Sequence, residues 1–87
     1  MIADTVAERV QAIVCGIAGP HRTPVDAGPR TSLGEGGFWL DSIDLLEVII
    51  ACESEFGIVF DSATDLTGRT LSTTGSLADL VRNKLSA

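Results

Sequence analysis

The sequence predicts an all-α fold, a small antiparallel bundle of three main helices plus one short helix, with a long loop between helices one and two. Three observations carry this expectation. Apolar residues recur at intervals of three and four in three separate stretches, the period of a helix with one buried face. Pro and Gly crowd between the first two stretches. The one segment with strand character, Ile58-Val59-Phe60, has no evident partner.

The first stretch, residues 2–18, places Ile2, Val6, Val10, Ile13, Val14 and Ile17 on one side and Asp4, Glu8, Arg9 and Gln11 on others. It should end near Ala18, because Gly19 permits a left-handed turn and Pro20 cannot continue a helix. From Gly19 to about Leu40 the chain carries Pro20, Pro24 and Pro29 with five glycines, Gly19, Gly28, Gly34, Gly36 and Gly37. A structureless connection of that length is uncommon in a compact domain, so it should be pinned to the core, with Leu33, Phe38 and Leu40 as the pins. His21 has no Cys or second His at ligand spacing and reads as an exposed loop residue.

The second helix should run from Ser42 to Phe56, with Asp41 or Ser42 as an ordinary cap. Its apolar residues fall into two stripes. Leu45, Val48, Ile49, Cys52 and Phe56 suit a core, while Ile43, Leu46 and Ile50 interleave with Asp44, Glu47, Glu53 and Ser54. Full burial would strand those carboxylates, so the second stripe is expected to be exposed, as an apolar strip with an acidic rim. Gly57 can close this helix. Residues 62–66 could form a single helical turn capped by Asp61 or Ser62 and ended by Gly68. The last helix should start near Thr73 or Thr74 and reach Leu85, burying Leu77, Leu80, Val81 and Leu85, with Arg82 and Lys84 in its last turn.

At 87 residues, the chain reads as a single domain spanning residues 1–87, with a modest core. The formal charge of −6 is unevenly placed: the segment from Thr31 to Gly68 holds eight acids and no Lys or Arg, the remainder four acids and six bases. Such a field disfavours nucleic acid and favours partners that present Lys or Arg. Cys15 and Cys52 lie among apolar residues, which suits buried thiols and a reducing compartment. There is no basic start followed by an apolar core, and no apolar run is long enough for a bilayer. A soluble, cytoplasmic monomer without a membrane role is expected. The sequence contains no nucleophile elbow, metal-ligand cluster or phosphate loop, so no catalytic set and no metal site are expected and the chain does not read as an enzyme.

The stretch Leu33-Gly34-Glu35-Gly36-Gly37-Phe38-Trp39-Leu40-Asp41-Ser42-Ile43 resembles that of acyl carrier proteins, and the similarity covers nearly the whole chain. In that family a long loop leads into Asp-Ser-Leu or Asp-Ser-Ile at the head of the second helix. Asp41-Ser42-Ile43 matches that motif, Glu53-Ser54-Glu55-Phe56-Gly57-Ile58 is similar to the family's acidic end of that helix, and Gly75-Ser76-Leu77-Ala78-Asp79-Leu80-Val81 is similar to its last helix. The resemblance implies that Ser42 carries 4′-phosphopantetheine, joined from coenzyme A by a phosphopantetheinyl transferase with magnesium, and that the thiol of the arm holds acyl groups as thioesters. It further implies that Asp41 keeps the cap while Ser42 points to solvent. On this reading Ile43, Leu46 and Ile50, rimmed by Asp44, Glu47 and Glu53, form a docking strip for acyl-loading, ketosynthase-type, modifying or thioesterase enzymes with basic patches.

Trp39 stands where many relatives have a small residue, often Gly, close to the attachment point; it is expected either to contact the arm or, the favoured reading, to pack under the loop. Ser54 replaces an acid common in fatty-acid carriers, and the Gly-Glu-Gly-Gly loop resembles discrete carriers of polyketide and other specialised pathways. The alternatives are a peptidyl or aryl carrier of a nonribosomal pathway and, from another class, an unmodified acidic helical adaptor.

Overall fold

The computed structural model describes residues 5–86. It contains α1 (Thr5–Ala18), α2 (Ser42–Phe56) and α3 (Thr74–Ser86), and no strand among the described residues. The first helix packs against both others, so Val10 and Val14, fully buried on its inner side, sit at the centre of a core shared with Val48, Cys52, Leu77 and Val81. The expected start of α1 at Ile2 lies outside the described residues. Within them, the core face has the spacing that the sequence predicts, Ile13 and Ile17 being partly buried at its margin.

Each helix ends where a backbone group finds a substitute partner. At the C-terminus of α1, Gly19 takes φ +80 and donates its N–H to Cys15 O at 2.9 Å. Arg22 then reaches back, Nε to Ala18 O at 3.0 Å and Nη2 to Ile17 O at 3.3 Å, placing a cation at the negative end of the helix dipole. Gly57 closes α2 at φ +66. The Thr73 hydroxyl accepts from Ser76 N–H and the Ser76 hydroxyl from Thr73 N–H, both at 3.0 Å, a reciprocal cap that opens α3.

The long loop is sutured to the start of α3. Leu33 N–H bonds to Ser72 O, Thr74 N–H to Thr31 O, Gly75 N–H to Pro29 O, and the Thr74 hydroxyl to Gly28 O. A single β-bridge joins Ser32 and Thr73. Leu33, Phe38 and Leu40 are buried, as the pinned-loop reading requires. These bonds explain why a Pro- and Gly-rich segment adopts one path: its polar backbone is satisfied by α3's leading edge while its three apolar side chains enter the core.

Two details differ from expectation, the end of α3 and the short fourth helix. Leu85 is half-exposed, because the buried residues of α3, Thr74, Leu77, Ala78, Leu80 and Val81, lie towards its start, where the loop bonds to Thr74. Residues 58–60 form no strand; Phe60 is buried and its N–H is taken by the Glu53 carboxylate at 2.8 Å. In place of the short fourth helix, residues 61–65 form a single hydrogen-bonded turn, closed by Asp65 N–H on Asp61 O, with the Asp61 carboxylate accepting from Ala63 and Thr64 N–H.

Gly37 is the tightest point of the loop. A Cβ there would lie 1.9 Å from Ser32 O, which itself accepts the Phe38 N–H, whereas one at Gly34 would meet nothing within 4 Å. Gly37→Ala should therefore lower stability by about 2 kcal/mol or more, against about 0.5 kcal/mol or less for Gly34→Ala, as read from urea unfolding midpoints.

Candidate functional site at the head of the second helix

The loop delivers the chain to α2 through Leu40, which is buried and bonds its N–H to Leu33 O. The next residue, Asp41, is the N-cap, with extended backbone. Its Oδ1 accepts the Asp44 N–H at 2.8 Å, and Asp44 Oδ2 accepts the Asp41 N–H at 3.2 Å, completing a capping box. The same Asp44 Oδ2 receives Arg22 Nη1 at 2.7 Å. Arg22 therefore ties the end of α1 to the head of α2.

This division of labour leaves Ser42 free. It is the first residue of α2, it is exposed, and its hydroxyl makes no hydrogen bond among the described residues. Asp41 supplies the cap that Ser42 could have supplied, as expected. Two donors at this helix end, the N–H groups of Ser42 and Ile43, have no partner among the described residues, beside the oxygen of an exposed serine. The site can present a nucleophilic oxygen to an outside reagent and place an anion attached to it near unpaired N–H groups at the positive end of the dipole. Among the described residues no group of His, Cys, Asp and Glu is placed to hold a metal ion.

Behind Ser42, Ile43, Leu46 and Ile50 are exposed at 68%, 55% and 55%, whereas Val48, Ile49 and Cys52 are buried and Leu45 and Phe56 lie against the core. The two-stripe reading of α2 thus holds. The acidic rim is less uniform than the sequence suggests. Asp44 is engaged by Arg22 and the cap, and Glu53 holds the Phe60 N–H, so Glu47 is the rim acid that makes no ion pair or side-chain hydrogen bond among the described residues.

Trp39 does not pack under the loop. Phe38 takes the inward position, and Trp39 is 59% exposed with its backbone at φ +57, the left-handed region that favours glycine. Its N–H bonds to Gly34 O, and its carbonyl oxygen lies 3.5 Å from Arg22 Nη1. Arg22 is a residue of this site that sequence reading passed over. Its position beyond the Gly19-Pro20 stop is a signal for a C-terminal helix cap, but nothing local points to Asp44, twenty-two residues on.

Neither thiol is set up as a nucleophile at this site. Cys52 is buried, and burial, with Glu53 and Glu55 nearby, pushes its thiol up to about 11; Cys15 is half-buried and also unpaired. No helix among the described residues is long and apolar enough to cross a membrane. No protein-family model matches the chain, and no curated protein or solved structure matches it.

The hydrogen bond from Arg22, followed by that from the Asp41 N–H, holds the Asp44 carboxyl below the ordinary value of 3.8. Because its folded value lies below its unfolded value, the unfolded chain binds more protons in that interval. The stabilisation is complete above about pH 5 and is lost as pH falls through the folded value. Asp65, lowered by the Asp61 N–H and by Lys84, acts in the same direction. Asp44→Asn should flatten, without abolishing, the acid decline of stability, as followed by urea midpoints at successive pH values.

Proposed function

We propose that this chain is an acyl carrier protein whose Ser42 is esterified with 4′-phosphopantetheine. The observation that carries the reading is the exposed, unbonded hydroxyl of Ser42 at a helix head whose capping is done entirely by Asp41 and Asp44. A serine used as a cap would have its oxygen turned onto the backbone. This one is available to solvent, on a helix whose outer face is apolar.

The donor would be coenzyme A, bound with magnesium by a phosphopantetheinyl transferase. Ser42 Oγ forms the new bond to phosphorus, the bond to the adenosine bisphosphate portion breaks, and the serine proton passes to a base of the transferase. When bound, the arm supplies a thiol that holds acyl groups as thioesters. The chain's own residues provide the attachment oxygen, the Ser42 and Ile43 N–H groups that offset the charge of the phosphodiester, and the docking face. Asp41 and Asp44 flank the serine that would hold the phosphodiester, and the Arg22 guanidinium on Asp44 would temper their repulsion. The chain performs no catalysis in this reading.

Ile43, Leu46 and Ile50 give acyl-loading, ketosynthase-type and thioesterase partners an apolar contact, and Glu47 supplies charge that attracts a basic patch. A carrier must leave each enzyme in turn, which suits a small strip with few charges. Ser54 and the Gly-Glu-Gly-Gly loop support a specialised pathway, polyketide synthesis before fatty-acid synthesis, and this acidic helix supports an acyl cargo over a peptidyl or aryl one.

Intact mass after incubation with coenzyme A, magnesium and a broad-specificity phosphopantetheinyl transferase tests the proposal. One phosphopantetheinyl group should be added to the chain and none to Ser42→Ala. No gain, or a gain that survives the substitution, would leave the adaptor reading in its place.

Glu47→Lys should slow this modification about tenfold at low ionic strength, with the rates converging as salt is raised and helicity unchanged by circular dichroism. Asp44→Lys is unsuited to that experiment, because it would also remove the capping box and the Arg22 pair.

A further inference from the structure

Trp39 combines three features that its own fold does not explain. It is the single tryptophan of the chain and is 59% exposed. Its indole makes no hydrogen bond among the described residues. Its backbone sits at φ +57, a conformation unfavourable for any side chain with a Cβ and free of penalty for glycine. Gly19, Gly36 and Gly57 occupy the other positive-φ positions among the described residues. A bulky aromatic in such a place costs stability and, left mostly exposed, recovers little through burial, and strain of this kind concentrates where residues meet ligands or partners.

Its location narrows the choice. Trp39 is three residues from Ser42, so their Cα atoms are at most about 11 Å apart. A protein interface covers about 800 Å² on each partner, a patch of roughly 16 Å radius. An interface of that size centred on Ser42 reaches Trp39. The residue is held there from two sides, by its own N–H on Gly34 O and by Arg22 beside its carbonyl, so the indole is presented on a fixed backbone. Tryptophan is the residue type that most often anchors an interface, since it offers a large rigid apolar area and one N–H donor at small entropic cost.

Resting on the carrier reading above, we infer that Trp39 is a docking anchor for the transferase that modifies Ser42, seated in an apolar pocket whose rim is basic. The apolar pocket follows from the indole together with exposed Ile43 and Leu46 nearby along the chain. The basic rim follows from Glu35 and Glu47, exposed acids without an ion pair among the described residues. Trp39 acts by binding and takes no part in the transfer itself.

The test measures kcat and KM for phosphopantetheinylation of the wild type, Trp39→Gly, Trp39→Phe and a control, Val25→Ser, whose side chain is fully exposed in the long loop. Trp39→Gly relieves the backbone and should melt at the same temperature as the wild type or higher. Its KM should nevertheless rise at least about tenfold with kcat within about twofold, Trp39→Phe should fall between, and Val25→Ser should match the wild type. With 5-fluorotryptophan at this single site, the fluorine resonance should move on adding transferase without coenzyme A. An unchanged KM in Trp39→Gly, a change confined to kcat, or an unmoved resonance would overturn the inference while leaving Ser42 as the attachment point. Failure of the wild type to gain mass would remove the carrier reading, and this inference with it.

Discussion

The head of α2 depends on the capping box of Asp41 and Asp44, and within it on one shared oxygen. Asp44 Oδ2 is shared by the Asp41 N–H, from the residue that caps the helix, and by Arg22, whose other nitrogens close the end of α1. One oxygen thus fixes where the second helix begins, how the preceding loop enters it and how the first helix stops. The arrangement assigns capping to residues that flank Ser42 and leaves the serine without a structural duty. In a chain this small, freeing one hydroxyl at a helix start requires that its neighbours hold the start by themselves, and they do so with bonds of 2.7 to 3.2 Å.

Charge is sorted along the chain and then recombined by folding. The acid-only segment from Thr31 to Gly68 meets three of the six bases that lie outside it: Arg9 on Glu55, Arg22 on Asp44, and Lys84 on Asp65. Arg9 also lies over the Phe56 ring at 4.5 Å, so the end of α2 is fastened to α1 by a cation that reads both an acid and an aromatic. Each pair joins elements far apart in sequence. Surface pairs of this kind contribute little individually, but they place charges: acids beside the bundle's seams are neutralised, while Glu47, on the outer face of α2, keeps its charge uncompensated.

The three helices, their core faces and the two-stripe character of α2 were legible because each rests on local periodicity, and the periodicity of Val10, Val14, Val48, Cys52, Leu77 and Val81 points directly at burial. The cap at Asp41 was legible because caps are local too. What could not be read were contacts set by the third dimension: Arg22 on Asp44, Glu53 on the Phe60 N–H, and the suturing of Pro29 to Leu33 onto residues 72–75. The expectation for Trp39 failed for a related reason. Two adjacent aromatics, Phe38 and Trp39, cannot both face inward from one turn. Which of them does so is decided by the bonds that Ser32, Leu33 and Gly34 make to residues 38–40, and composition carries no trace of those.

The left-handed backbone at Trp39 has an evolutionary consequence. In the standard genetic code tryptophan has one codon, and changing its first base alone produces a glycine codon. The relaxed backbone is therefore always a single substitution away, reachable without any intermediate that is worse than the present residue. A lineage that keeps tryptophan here forgoes a stabilising change offered repeatedly by mutation. Keeping tryptophan here therefore carries a standing cost in backbone energy that glycine would not.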